Sequence, residues 1–129
     1  MTHTQNPGFW ITQGRGFQVK FANGWGISVQ FGRGNYCANG NKRPPIGNDY
    51  LEHEQTLGET GCVDAEIAIL TPAGELLDVP EWGDSVNGYV TPDQVAHYMH
   101  LISSIEKDGS LNITPELRPL LGLEEEDQE

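Results

Sequence analysis

The side chains here able to bind a metal, attack a carbon or move a proton are two cysteines, four histidines and nineteen carboxylates. Cys37 and Cys62 stand 25 residues apart, with His53 between them. A structural zinc site takes four ligands, normally supplied as closely spaced pairs. Neither cysteine has a second ligand near it in the chain, so the spacing assigns no metal and no cofactor. Cys37, His53 and Cys62 bracket one long loop, and with Tyr36 they define an alternative reading, a small metal- or thiol-dependent enzyme. In a reducing compartment the two cysteines are expected as free thiols. Glu52-His53-Glu54 lacks the second histidine of H-E-x-x-H. No G-x-S-x-G elbow is present. Gly14-Arg15-Gly16 and Gly32-Arg33-Gly34 extend to neither a P-loop nor a dinucleotide fingerprint and read as turn glycines. No residue is assigned a catalytic role, and the chain reads as a non-enzyme.

The carboxylates are the more distinctive feature. Residues 1–48 carry five Lys and Arg and no acid; residues 49–129 carry all 19 acids against Lys107 and Arg118. The two parts therefore sum to +5 and −17, which gives the formal net charge of −12. Opposed charge in one small chain suggests a charged face for a charged partner. Phosphate contacts come from Lys and Arg, so this balance argues against direct nucleic-acid binding. Acids concentrate at 49–66 and 75–84, and dense carboxylates on one face can imitate a phosphate backbone. The expected partner-binding residues are Glu52, Glu54, Glu59, Asp64, Glu66 and Asp84. Trp82, in a Pro-Glu-Trp-Gly-Asp loop, is the expected exposed aromatic anchor.

Alternation with a period of two sets the scaffold. Phe17, Val19 and Phe21 share one face of a strand; Trp25, Ile27, Val29 and Phe31 share one face of the next. Asn23-Gly24 between them predicts a two-residue hairpin turn with positive φ at both positions. Residues 9–11 suggest a short first strand. Residues 33–60, rich in Gly, Asn and Pro, read as the long loop. Val63, Ala65, Ile67 and Ile69 predict another strand, 75–79 its return, and Tyr89-Val90 the last. Thr91-Pro92-Asp93-Gln94 opens a helix over 92–107 with a capping box. Val95, Tyr98, Met99, Ile102 and Ile105 form its apolar stripe, and His97 and His100 point to the solvent side. Thr114-Pro115-Glu116 predicts a second, short helix running to Leu121.

The fold class expected is α+β: a single twisted antiparallel sheet of four to five strands, one main amphipathic helix on one face, and a short C-terminal helix. Residues 1–107 form the domain, 108–123 a C-terminal arm, and 124–129 an acidic, disordered tail. The sheet's other face is expected to be wet. The N-terminus has neither a cationic start nor an apolar run, which predicts a cytoplasmic protein with no signal peptide and no membrane span.

The blocks Gly16-Phe17-Gln18-Val19-Lys20-Phe21-Ala22-Asn23-Gly24-Trp25, Ile27-Ser28-Val29-Gln30-Phe31-Gly32 and Gly34-Asn35-Tyr36-Cys37 resemble a group of small proteins of tailed phages, prophages and their bacterial hosts. Ala65-Glu66-Ile67-Ala68-Ile69 and Gly88-Tyr89-Val90-Thr91-Pro92 are similar to later blocks of that group. The resemblance covers roughly residues 16–100. It implies an accessory protein of the bacterial host cytoplasm and assigns no catalytic residue. With the acidity, it leads to the expectation of a protein that binds a macromolecular partner, an inhibitor of a host nucleic-acid-handling or defence system. A structural phage component built by self-association is the third reading.

Overall fold

The computed structural model describes residues 7–12, 16–31, 37 and 62–123. Five strands, β1 (Gly8–Ile11), β2 (Gly16–Lys20), β3 (Gly26–Gln30), β4 (Ala65–Leu70) and β5 (Asn87–Val90), pair antiparallel in chain order as a meander. Among the described residues one helix, α1 (Pro92–Ser103), packs across β3 and β4, which makes the fold α+β. The register places Val19, Ile27 and Ile69 in one cross-strand row and Phe17, Val29 and Ile67 in the next. These rows meet Tyr98 and Ile102 of the helix, both fully buried. Fully burying each such aliphatic side chain contributes ~1.5–3 kcal/mol, so the two central strands and the helix dominate the core. Phe9 and Ile11 occupy the same face on edge strand β1, outside the helix's footprint, and stay exposed.

The hairpin joining β2 and β3 differs from the expected two-residue turn. Phe21 N–H donates to the Trp25 carbonyl at 2.8 Å, and Gly24 N–H donates to the Phe21 carbonyl at 2.9 Å. The loop is therefore the three residues 22–24, and only Gly24 has positive φ, at 93°. Asn23 is spared that conformation because its amide has other work. Its Nδ2 donates to the carbonyls of Ile102 and Ile105, each at 2.9 Å, while its Oδ1 accepts from Trp25 N–H at 2.9 Å. The turn thus clasps the C-terminal end of α1, where carbonyls lack intrahelical donors.

The helix starts as its sequence requires. Thr91 Oγ1 accepts from Gln94 N–H at 3.3 Å and Gln94 Oε1 accepts from Thr91 N–H at 3.0 Å, a complete capping box ahead of Pro92. It ends at Ser103 and not at 107. Ser103 and Ser104 hydroxyls both donate to the His100 carbonyl, at 3.2 and 2.7 Å, which competes with continued helix. His97 and His100 are exposed.

Three further expectations are corrected. Residues 75–79 form no strand; only isolated bridges, Leu70 with Leu76 and Val79 with Asp84, tie this segment down. β4 begins at Ala65, so Val63 is more than half exposed and lies outside the core. Residues 115–122 make consecutive turns and no second helix, because Pro119 has no N–H to donate and the Leu123 N–H reaches back five residues to Arg118. Leu121, Leu111 and Ile113 nevertheless pack against the core. The face opposite α1 is also drier than expected: Ser28 and Ala68, paired across β3 and β4, are buried at its centre. No described helix is long and apolar enough to cross a membrane.

Candidate functional site

Among the described residues, two places bring chemistry-bearing side chains together. The first lies where the chain leaves β3 and re-enters β4. Antiparallel pairing of Gln30 with Glu66 puts the exit of one strand beside the entrance of the other. Cys37 follows the exit and Cys62 precedes the entrance, and the sulfurs of both lie within 4.8 Å of each other and of a carboxylate oxygen of Asp64. Cys62 Sγ is 3.8 Å from Asp64 Oδ1. Cys37 is buried, Cys62 and Asp64 are half-buried, and the two sulfurs are not joined in a disulfide. The third expected member, His53, lies outside the described residues. Asp64 was legible in the sequence only as one acid among many; its place beside Cys62 follows from the bend at residues 63–64, which delays strand pairing until Ala65.

The second is a cleft of about 290 Å³ between residues 77–81 and residues 110–113. Trp25, Leu77, Leu111 and Ile113 supply its apolar wall, and the exposed Asp78 and Glu81 supply an acidic lip. Trp25 is 6% exposed, and its indole N–H has no hydrogen-bond partner among the described residues. A buried donor left unpaired costs ~1–3 kcal/mol, so this wall carries an unmet demand for an acceptor. The sequence showed the acids at 75–84 but not the cleft, because residues 110–113 carry no periodic signal that would fold them back onto Trp25.

The expected partner-binding residues do not share one fate. Glu52, Glu54 and Glu59 lie outside the described residues. Asp64 belongs to the thiol cluster. Glu66 is half-buried on β4 across from Gln30. Asp84 is exposed and accepts from Ser85 N–H at 2.6 Å. Trp82 is half-buried rather than fully exposed. Its Nε1 donates to the Tyr98 hydroxyl at 3.0 Å, and the rings meet edge to face with centroids 5.7 Å apart. A tryptophan packed against a core seeks a partner for its N–H, and the Tyr98 oxygen provides one. Asn87 Nδ2 also donates to that oxygen at 3.4 Å. Burial pushes the Tyr98 phenol above its ordinary value, and the hydrogen bonds from Trp82 and Asn87 oppose that shift. Among the glycines of the two G-x-G fragments, Gly16 is described. Its φ of 141° and its closeness to the Val29 carbonyl mark a tight backbone approach within the sheet.

The chain matches no family model, no curated protein and no solved structure.

Proposed function

We propose that this protein acts by binding a basic segment of a macromolecular partner, using the cleft beside Trp25 as the anchor point. The observation that carries the reading is the pairing of an apolar wall with an acidic lip. Trp25, Leu77, Leu111 and Ile113 suit one apolar side chain, and Asp78 and Glu81 suit Lys or Arg on either side of it. A net charge of −12 steers a cationic partner and raises its association rate at low salt. The resemblance to phage and prophage proteins supports an accessory role in a bacterial host cytoplasm. There the basic grooves of nucleic-acid-handling and defence proteins are the corresponding class of partner.

The test uses the full chain and a labelled peptide with a central Leu or Phe flanked by Lys and Arg, read by fluorescence polarisation across a salt series. Exposed charge pairs contribute ~0.2–1 kcal/mol each, so Asp78→Asn with Glu81→Gln should weaken binding roughly two- to thirtyfold at low salt. The double variant should also flatten the salt dependence of binding. Equal binding by both proteins at low and high salt overturns the reading.

A further inference from the structure

The geometry points to a zinc site formed by Cys37, Cys62 and Asp64, and we propose that this protein binds one zinc ion there. Thiolate sulfur bonds zinc at ~2.3 Å and carboxylate oxygen at ~2.0–2.2 Å, so ligand atoms around a tetrahedral ion sit ~3.5–3.8 Å apart. The Cys62 sulfur and the Asp64 oxygen are 3.8 Å apart, and all three donor atoms fall within 4.8 Å of one another. Movements of about an ångström or less therefore close three of the four tetrahedral positions. The donor set selects the metal. Two soft sulfurs and one hard oxygen suit a borderline ion such as zinc better than magnesium or calcium, which take oxygen alone.

A disulfide is the competing use of two neighbouring thiols, and Asp64 separates the two. A disulfide makes no use of a carboxylate on the Cys62 sulfur. Two sulfurs and a carboxylate oxygen converging on one point instead offer a set of donors that a divalent cation can accept. The position fits a staple as well. Cys37 and Cys62 bracket the 24 residues 38–61, and tying such a long connection at its base removes freedom from the unfolded chain.

The experiment is metal analysis of the full chain purified under reducing conditions, followed by zinc titration against a chromophoric chelator and by cobalt substitution. One equivalent of zinc is expected, with the near-ultraviolet charge-transfer band of cobalt–thiolate bonds and a rise in the thermal midpoint on adding zinc. Losing even an outer-sphere partner of a metal costs ~10–100-fold in affinity. Asp64→Asn should therefore weaken zinc at least tenfold while leaving the thiol count at two, and Cys62→Ser should weaken the thiolate band, because only the Cys37 sulfur remains to supply it. Cys62 is the half-exposed thiol, so that variant and Asp64→Asn test the site without disturbing buried Cys37. The proposal fails if the reduced protein binds no zinc, if cobalt gives no thiolate band, or if zinc binding ignores both substitutions. The readouts are independent of partner binding, so this proposal and the peptide-binding reading stand or fall separately.

Discussion

Replacing Asn23 tests how the sheet holds the helix. Asn23→Ala removes two donors to the carbonyls of Ile102 and Ile105 and the acceptor for Trp25 N–H. Each hydrogen bond contributes a net ~0.5–1.5 kcal/mol, and water reaches this half-buried turn, so the lower part of the range applies. The expected loss is about 1.5–3 kcal/mol. Unfolding entropy scales as ~2.1 cal/mol/K per residue, so in a chain of this length that loss lowers the thermal midpoint by about 6–11 °C. The urea midpoint should fall by about 1 M with the slope unchanged, since the surface exposed on unfolding is the same. Ala is sterically acceptable because φ at Asn23 is not positive, so backbone strain does not confound the result. Asn23→Asp isolates the clasp. Its carboxylate still accepts from Trp25 N–H, but it presents negative charge to two carbonyls at the negative end of α1. Asn23→Asp should be destabilised at least as much as Asn23→Ala. A loss below ~0.5 kcal/mol for Asn23→Ala, or wild-type stability for Asn23→Asp, would refute the clasp.

Two further outcomes follow from the core and the sheet. The Tyr98 phenol is raised above its ordinary value of 10.0, so the folded state holds that proton more tightly than the unfolded chain does. Stability from this source is therefore fully present below pH 10 and declines as the pH climbs above it. Tyr98→Phe should remove that part of the alkaline decline in urea midpoints and also lower stability at neutral pH, because Trp82 and Asn87 lose their acceptor; an unchanged alkaline slope contradicts the shift. Gly16→Ala should cost about 2 kcal/mol or more by chemical denaturation, since its φ of 141° disfavours any L side chain and a Cβ there overlaps the Val29 carbonyl oxygen. A neutral result would mean that β2 and β3 approach less closely than the structure shows.

The parts of the fold that the sequence revealed are those whose signal is local. Alternation gave β2, β3 and β4 because side-chain direction reverses at every residue of a strand. Thr91, Pro92 and Gln94 marked the start of α1 because capping is completed within four residues. What escaped was set by distant partners. Asn23 looked like turn chemistry, yet its amide serves carbonyls about 80 residues away. Trp82 looked exposed in a polar loop, yet Tyr98 draws it inward. The thiol cluster was half legible. Bracketing of the loop by Cys37 and Cys62 allowed their approach without requiring it, and Asp64 became distinctive only once the bend before β4 set it against Cys62.

The cleft and the thiol cluster lie at opposite ends of the two central strands. Trp25 immediately precedes β3 and Leu77 is held beside the far end of β4, its N–H donating to the Ile69 carbonyl at 2.8 Å. Cys37 follows the other end of β3, and Cys62 and Asp64 precede β4. A five-residue strand spans ~17 Å at ~3.3 Å per residue, too far for one ion or one side chain to touch both places. Substitutions at Asp78 and Glu81 should therefore leave the affinity for zinc intact.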